Sequence, residues 1–456
     1  MPDFAASVAV FVFAATVVLT VWRPRGLNES VPAAAGAVLL LALGLVGGDD
    51  LRAIIRNVGG ASVTILSTMV MSIVLDSIGF FRWAAYNVVR LARGSGIRLY
   101  AATVTLCFLM TMFFNNDGSI LITTPIILKM LDILDLKPHQ KIPYLVAGAM
   151  TATASSAPIG VSNLANLIAL KIVGMDLNTY AAWMFVPSMA AIVWMVGLIF
   201  LRYRKAIPTR IAVVPLYRAS DVLKEAPPEK LRHPLMGTGG DVEPDIDGRL
   251  FRICLVSVVL FRVGLFEAER FGVPVEAVAA VGAGWLIAVR QFYTRADALD
   301  WVTKTPWHIF VFAFSVHVIV SALAGIGLAD GLVRALRPIV ARGEWEAIAT
   351  MGVLLTVMSN LFNNLPAVML GTVLLTEMAP EPDILRVAYL ANILGSDVGA
   401  LLTPTGTLAS MLWMFLLRRH RIPFSWKSYM KISSAVVPSS LMVGLVVLYG
   451  WTSWIH

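Results

Sequence analysis

The hydrophobic residues of this chain gather in long apolar runs that short polar segments separate. A helix needs about 20 apolar residues to cross a bilayer, and its backbone groups must be bonded internally. Ten runs predict membrane-spanning helices, at 4–22, 31–47, 60–81, 143–173, 181–201, 250–266, 274–290, 306–328, 387–417 and 433–453. Two further apolar segments, 99–134 and 347–378, carry polar clusters near their middles, which is typical of helical hairpins that enter the membrane and return. The pattern predicts an all-α polytopic membrane protein.

Short matching motifs divide these elements into two sets. The first hairpin carries Phe-Asn-Asn at 114–116, and the second carries the same three residues at 362–364. Behind each hairpin lies an apolar segment broken by small and polar residues, with Leu-Ala-Asn at 164–166 matched by Leu-Ala-Ser at 408–410. Each set has about five spans and one re-entrant hairpin, so an odd span count predicts that the second set is inserted upside down. The two sets are therefore expected to form inverted repeats with broken helices at the midplane.

A polar stretch joins the two sets. It contains adjacent prolines and a glycine-rich run, which is typical of a loop. The predicted organisation is a first membrane repeat at 1–201 (re-entrant hairpin 99–134, broken helix 143–173), a cytoplasmic linker at 202–249, and a second inverted repeat at 250–456 (re-entrant hairpin 347–378, broken helix 387–417).

Composition supports the membrane class. The 456 residues are 58% hydrophobic and only 14% charged, which excludes both an ordinary soluble enzyme and a disordered chain. The formal net charge of +8 does not require a nucleic-acid partner, because most basic residues fall in loops that the topology assigns to the cytoplasm. No basic residue precedes the first span, whereas Arg23 and Arg25 follow it, so the N-terminus is expected outside a cytoplasmic (inner) membrane. Cys107 and Cys254 alone provide neither a disulfide framework nor a cysteine-rich metal site.

The polar clusters predict a substrate site. A helix break at membrane depth is tolerated only where protein buries it or where it lines a wet cavity. Proline kinks are the structural alternative, but prolines alone do not require four asparagine amides at symmetric hairpin tips. We expect the two tips and the two broken helices to meet near the midplane, where half-helix dipoles and free backbone groups bind substrate. The candidate substrate-binding residues are Asn115, Asn116, Ser162, Asn163, Asn363, Asn364, Thr405 and Thr407.

Two acids lie within the same clusters. Asp117 follows the first tip, and Asp397 lies in the second broken segment. An acid in a membrane interior is costly and indicates ion or proton handling, although such an acid can also cap a half-helix. We expect Asp117, and secondarily Asp397, to bind the driving proton, since burial favours the protonated form. Arg262 is expected to extend to the outer surface, because long basic side chains reach toward water.

Motifs for direct energy coupling are absent from the sequence. There is no Gly-x-x-x-x-Gly-Lys-Ser/Thr phosphate loop, and the six histidines are scattered rather than paired at metal-ligand spacing. No cofactor is expected, no enzyme activity is predicted, and a secondary transporter remains the class that the pattern favours.

Three blocks resemble the signatures of the arsenical efflux pump (arsenite permease) family of the ion transporter superfamily. They are Phe-Asn-Asn-Asp-Gly at 114–118 with Thr-Pro at 124–125, Ser-Asn-Leu-Phe-Asn-Asn-Leu-Pro at 359–366, and Gly-Ser-Asp-Val-Gly at 395–399 with Thr-Pro-Thr-Gly-Thr-Leu-Ala at 403–409. The resemblance implies export of arsenite and antimonite, driven by the proton gradient. It also implies that a soluble arsenical-pump ATPase can serve as a partner, as it does for some members.

Substrate chemistry agrees with this resemblance. Trivalent arsenic prefers thiolates, and two cysteines cannot build a trithiolate site within one chain. Near neutral pH, however, arsenite is an uncharged trihydroxide, which asparagine amides and threonine hydroxyls can hold by hydrogen bonds. Weak ligands of this kind suit a pump, because the pump must release its substrate.

Alternatives to arsenite export remain at this stage. A sodium/proton antiporter of the same superfamily could use Asp117, Asp397 and nearby carbonyls to bind sodium. Dicarboxylate transport is less favoured. The dicarboxylate members of the superfamily carry Ser-Asn-Thr at the tips of both broken helices, whereas this chain has Ser-Asn-Leu at 162–164 and Thr-Gly-Thr at 405–407. Neither of these two clusters contains a cation that could neutralise a carboxylate substrate. A membrane-embedded enzyme lacks a nucleophile–base set, and a channel does not need two inverted halves.

Overall fold

A computed structural model describes residues 2–22, 24, 27–211, 248–294, 302–303, 305 and 307–455. Within those residues the structure contains 18 α-helices, short 3₁₀ turns and no strand. The all-α prediction is confirmed. Eight helical segments of the described part are long and apolar enough to cross a membrane. Most of the predicted linker, from 212 to 247, lies outside the described residues, as do Arg23 and Arg25.

The first half contributes nine helices. They are α1 (Pro2–Trp22), α2 (Ser30–Ala42), α3 (Gly48–Ser77), α4 (Phe80–Ala92), α5 (Gly96–Phe113), α6 (Asn116–Ile133), α7 (Pro138–Ala154), α8 (Leu164–Val173) and α9 (Leu177–Tyr203). The turn between α5 and α6 carries the first Phe-Asn-Asn motif, and a 3₁₀ turn precedes α8.

The described residues of the second half also form nine helices. They are α10 (Gly248–Arg270), α11 (Val275–Thr294), α12 (Trp307–Gly325), α13 (Leu328–Val340), α14 (Glu344–Phe362), α15 (Asn364–Met378), α16 (Pro382–Asp397), α17 (Leu408–Arg419) and α18 (Trp426–Ile455). Their order follows that of the first half: α14 and α15 form a hairpin, α16 and α17 are separated by a 3₁₀ turn, and one long helix closes the set.

Two short helices, α4 and α13, were not expected from the sequence. Each has 13 residues, with apolar side chains on one face and charged residues on the other. Helix α4 occupies most of the segment between the predicted span 60–81 and the predicted hairpin 99–134. A search for runs of about 20 apolar residues misses such helices, because an amphipathic helix of this length is too short and too polar to span the membrane.

The two halves interleave. The second arm of each hairpin packs on the half-helix of the other half, with α6 against α17 and α15 against α8. Other contacts across the halves join α2 to α12, α3 to α11 and α9 to α18. Each broken helix therefore lies beside elements of the opposite set, and the polar breaks fall in the buried interior.

Close packing of α14 against α16 explains the glycines around Asp397. A Cβ atom at Gly399 would lie 2.0 Å from Thr356 Oγ1, and one at Gly395 would lie 2.4 Å from the Gly352 carbonyl oxygen. Gly395 is in α16 and Gly399 is in the 3₁₀ turn that follows it, so no larger residue fits either position without moving this segment away from α14. The glycines flanking the acid therefore set the distance between the hairpin and the broken helix.

Candidate functional site

The first broken segment is a buried stretch of non-helical backbone. Helix α7 ends at Ala154 and α8 begins at Leu164, where the side chain of Asn163 caps the new helix by accepting a hydrogen bond from the Ala165 amide at 3.0 Å. Two buried tyrosines bind carbonyls in and next to this stretch: Tyr180 donates to the Ala157 carbonyl within it at 2.6 Å, and Tyr389 of the other half donates to the Asn166 carbonyl in the first turn of α8 at 3.2 Å. Backbone freed from the helix therefore remains hydrogen-bonded.

The second broken segment starts at Asp397, the last residue of α16. A 3₁₀ turn follows, and α17 begins at Leu408 with Thr407 as its N-cap, where the Thr407 hydroxyl accepts a hydrogen bond from the Ser410 amide at 3.0 Å. Asn163 and Thr407 therefore have the same capping role in the two halves.

Asp397 joins the two broken segments. Its Oδ2 accepts hydrogen bonds from Ser156 Oγ at 2.8 Å and Asn166 Nδ2 at 2.7 Å, and its Oδ1 accepts one from Asn163 Nδ2 at 3.0 Å. All three donors are neutral and belong to the first half, and Asp397 is only 1% exposed. No described ion pair includes this carboxyl group. The acid is therefore buried and stabilised by hydrogen bonds alone.

Ser156 has a second acceptor besides Asp397. Its Oγ lies 2.8 Å from the Thr153 carbonyl oxygen, the same distance as to Asp397 Oδ2. A hydroxyl has one hydrogen and can also accept, so Ser156 can donate to only one of these two oxygens at a time.

The asparagines of the first tip bond within the tip. Asn115 Oδ1 accepts from the Gly118 amide at 2.7 Å, and Asn116 Oδ1 accepts from the Asp117 amide at 2.9 Å. Neither Nδ2 group donates to a side chain or carbonyl in the described part of the chain. Asp117 lies in the first turn of α6, is partly buried, and its carboxylate makes no hydrogen bond with the described residues. The first tip therefore retains unused donors and an unused acceptor.

The second tip is bound to its own broken segment. Asn363 has a φ of 77°, in the left-handed region that favours glycine, and its Nδ2 donates to the Thr405 carbonyl at 3.1 Å. The backbone N–H of Asn364 donates to the Gly406 carbonyl at 2.9 Å. A Cβ atom on Gly406 would lie 1.9 Å from the Ala400 carbonyl oxygen, so this loop requires glycine there.

Asn360 organises the second broken segment, and the sequence reasoning did not select it. Its Nδ2 donates to the Gly399 carbonyl at 2.9 Å. Its Oδ1 accepts from the Thr403 amide at 2.7 Å and from the Thr403 hydroxyl at 2.9 Å. That hydroxyl in turn lies 2.9 Å from Thr405 Oγ1. The signal available in sequence was a third asparagine one helical turn before the tip.

Arg262 on α10 contradicts its predicted position. The side chain is buried, and Nε and Nη2 donate to the carbonyls of Phe113 at 2.6 Å and Phe114 at 2.7 Å. The expectation that Arg262 extends to the outer surface is wrong, because unpaired carbonyls at the end of α5 provide acceptors inside the protein.

The structure brings together only some of the predicted site residues. Asn163 meets Asp397, and Asn363 and Asn364 meet the loop that carries Thr405. Ser162 Oγ lies 3.5 Å from the Met112 carbonyl of the first hairpin. Among the described residues, no hydrogen bond joins the asparagines of one tip to those of the other. Ser156 and Asn166, which bind Asp397, were absent from the predicted set, although both are polar positions in the same break.

Comparison with known proteins decides the family. The sequence profile of the family described as "Arsenical pump membrane protein" matches residues 8–452. The chain belongs to this family. A Bacillus subtilis (strain 168) protein named "Putative arsenical pump membrane protein" is 44% identical over 443 residues, which cover 97% of this chain and 99% of that protein. An Escherichia coli "Arsenical pump membrane protein" is 31% identical over 437 residues, which cover 96% of this chain and 97% of the relative.

One solved structure shares the fold. The YdaH transporter of Alcanivorax borkumensis, whose crystal structure is described as having an unusual topology, aligns with a TM-score of 0.51 over 96% of this chain and 98% of its own. At 14% sequence identity this likeness concerns the fold alone. Family membership and the eight apolar helical segments together make this chain a multi-pass membrane transporter of the arsenical pump family.

Proposed function

We propose that this protein exports arsenite and antimonite, as neutral trihydroxides, across the cytoplasmic membrane in exchange for protons. The observation that carries the proposal is the buried Asp397 carboxyl, which the other half of the protein holds through three neutral donors. Family membership supports an arsenical substrate. An acid that is buried without a cation is suited to exchange its charge with a proton, because neither protonation state leaves an ion pair broken.

The ionised and protonated forms of Asp397 have different hydrogen bonds. The carboxylate accepts from Ser156, Asn163 and Asn166 together. When Oδ2 is protonated, its hydroxyl donates to Ser156 Oγ, and Ser156 turns its own hydrogen to the Thr153 carbonyl, which already lies at 2.8 Å. Asn166 then faces an acid hydroxyl, which accepts more weakly than a carboxylate oxygen. Ionised Asp397 therefore holds the two broken segments together, and protonation loosens them.

Asp117 is the second proton-coupling residue of the proposal. Asp117 as a residue is partly exposed and its carboxylate makes no hydrogen bond with the described residues, whereas Asp397 is enclosed. The first turn of α6 provides helix-dipole stabilisation for the ionised form. Asp117 thus exchanges protons with the transport pathway directly, and Asp397 transmits the charge state to the contact between the halves.

The substrate is held by amides and hydroxyls. Neutral arsenite offers three O–H donors and three oxygen acceptors, so the unused Nδ2 groups of Asn115 and Asn116 and the carboxylate of Asp117 complement it. Such ligands bind weakly and release the substrate readily, unlike thiolates. The other proposed contacts are Ser162, Asn163, Asn363, Asn364, Thr405 and Thr407.

The cycle couples these groups by alternating access. In the outward-facing state, protonation accompanies release of arsenite outside. Loss of the proton to the cytoplasm restores the ionised carboxylates and the contact between the halves, and arsenite binds again from inside. The exchange needs no ATP, and a soluble ATPase partner would add a second source of energy.

Purified protein in liposomes with an internal pH-sensitive dye tests this function. With no gradient imposed, arsenite, antimonite, sodium or succinate is added in turn. Proton movement is expected with arsenite and antimonite and not with succinate. Proton movement with sodium alone would instead assign the chain to sodium/proton antiport and remove the arsenical proposal.

A further inference from the structure

The guanidinium of Arg262 lies at the first hairpin tip, where it donates to the backbone at the end of α5. Helix α5 ends at Phe113, so the carbonyls of Phe113 and Phe114 point past the helix end without intrahelical partners. A helix C-terminus carries partial negative charge, and transporters of related design bind Na⁺ with half-helix ends and unwound carbonyls. Here both carbonyls accept hydrogen bonds from one buried arginine, at 2.6 and 2.7 Å.

No cationic side chain in the described part of the chain donates to the second tip. Helix α1 lies against it as α10 lies against the first tip, but the contact is aromatic: the rings of Phe13 and Phe362 meet edge to face at 5.2 Å. The second tip is stabilised by the bonds of Asn363 and Asn364 to its own broken segment. An apolar contact is therefore sufficient to pack a helix against a tip, and the charge at the first tip requires another explanation.

The remaining nitrogen of Arg262 supports a role beyond anchoring. Nη1 is fully buried and has no hydrogen-bond partner in the described residues. An unpaired N–H of a charged group is costly in the interior, and a simple anchor would avoid it. An arginine guanidinium remains protonated at every physiological pH, so this positive charge is permanent.

We propose that Arg262 is a tethered cation that makes the first tip independent of sodium and excludes metal cations from it. The guanidinium neutralises the end of α5, positions Asn115 and Asn116 for the neutral substrate, and occupies the carbonyls that sodium would ligate. Arg262 is thus a positioning and specificity-determining residue. This inference rests on the proposed arsenite/proton exchange, and it explains why the exchange does not use sodium.

The test compares Arg262→Ala, Arg262→Lys and a control, Arg252→Ala, in the same liposome assay. Arg252 lies on the same helix, is exposed, and donates within its own turn to the Gly248 carbonyl at 3.1 Å. Arg262→Ala is expected to lose about ten-fold or more in arsenite-driven proton movement, the loss expected for hydrogen bonds from a charged donor. Millimolar guanidinium or sodium is expected to restore transport in Arg262→Ala, whereas choline is not. Arg262→Lys is expected to retain more activity than Arg262→Ala. The transport rates of wild type and Arg252→Ala are expected not to change with guanidinium, sodium or choline.

Two results would overturn the inference. In the first, Arg262→Ala moves protons with arsenite at the wild-type rate. In the second, Arg262→Ala is folded but inactive, and neither guanidinium nor sodium restores its transport. A second measurement, the melting temperature of detergent-purified Arg262→Ala with and without millimolar guanidinium, does not depend on transport. The inference predicts a rise in melting temperature for Arg262→Ala alone. If wild type moves no protons with arsenite while this rise is observed, the proposed function fails and the tethered cation stands.

Discussion

The side-chain nitrogen Nδ2 of Asn166 donates a 2.7 Å hydrogen bond to Oδ2 of Asp397, and this contact joins the two halves of the protein. The two residues are far apart in sequence, and each lies where a helix is interrupted. The carbonyl of the same Asn166 accepts a hydrogen bond from Tyr389, which is also in the second half. One residue of the first broken segment is thus held at both its side chain and its backbone by the opposite half, next to a titratable group.

Ser156→Ala should shift the pH dependence of transport to higher pH. The Ser156 hydroxyl stabilises ionised Asp397 at 2.8 Å, so its removal favours the protonated form, and proton release to the cytoplasm then requires a more alkaline solution. Ser156 also accepts from the protonated acid, so only the difference between a charged and a neutral hydrogen bond counts; that difference is about 1 kcal/mol, and the shift should be about 0.5–1 pH unit. The measurement is arsenite uptake into everted vesicles as a function of pH.

Ser155→Ala is the matched control for this shift. Ser155 is equally buried, but its hydroxyl donates to the Thr151 carbonyl at 2.6 Å and not to Asp397. Its pH profile should match that of wild type. An unchanged profile in Ser156→Ala, or the same shift in both variants, would show that the hydroxyl of Ser156 does not act on the charge of Asp397.

Asn116→Ala should weaken arsenite binding and leave the fold intact. Its Nδ2 is an unused donor at the first tip, whereas its Oδ1 makes one local bond to the Asp117 amide. Loss of a substrate hydrogen bond is expected to raise the KM for arsenite by about ten-fold, with a smaller change in the maximal rate. Initial rates in vesicles over a range of arsenite concentrations provide both numbers.

Asn87→Ala provides the comparison for Asn116→Ala. Asn87 lies on the amphipathic helix α4, and its amide donates within that helix to the Trp83 carbonyl at 2.8 Å. The variant Asn87→Ala should therefore leave the KM for arsenite unchanged. A normal KM in Asn116→Ala would exclude the first tip from substrate binding.

Gly399→Ala should destabilise the protein by pushing the 3₁₀ turn that follows α16 away from α14. The new methyl group would lie 2.0 Å from Thr356 Oγ1 and 2.8 Å from its Cβ, so the two backbones must move. Overpacking of this kind costs about 1–3 kcal/mol, which thermal unfolding in detergent would detect. A Cβ atom at Gly197 on α9 would meet nothing within 4 Å, so Gly197→Ala should have the melting temperature of wild type. Equal melting temperatures of the two variants would contradict the packing argument.

Asn363→Ala should be less stable than Asn363→Gly. Both variants lose the hydrogen bond to the Thr405 carbonyl, but only alanine must adopt a φ of 77° with a Cβ atom. The difference should be about 1 kcal/mol in favour of glycine. Thermal unfolding of the two variants side by side measures it, and an alanine variant as stable as the glycine variant would show that the tip relaxes to another conformation.

Much of the architecture could be predicted from the sequence because it depends on local patterns. Apolar runs of membrane length give the spans, and the polar interruptions at 114–116 and 362–364 coincide with the turns of two helical hairpins. The break before Asn163 and the break after Asp397 are signalled by proline, glycine and hydroxyl residues in apolar surroundings. These features follow from short stretches of chain.

The contacts that matter most for the proposed mechanism are not local. Which donor reaches Asp397 depends on the relative register of two broken segments from opposite halves, so Ser156 and Asn166 could not be distinguished from their polar neighbours. The position of Arg262 depends on α10 passing the end of α5, which no single-helix rule such as side-chain extension toward water can foresee.

The central claim is that protonation of Asp397 couples arsenite export to the proton gradient. Proton-driven accumulation of arsenite by the Asp397→Asn variant tests this claim most directly. Asparagine has nearly the same shape as a protonated aspartate and cannot release a proton, so the variant should let arsenite equilibrate across liposomes and exchange with labelled arsenite. A pH gradient should accumulate arsenite in wild-type liposomes and should not do so in Asp397→Asn liposomes. Accumulation by Asp397→Asn equal to that of wild type would contradict a coupling role for Asp397.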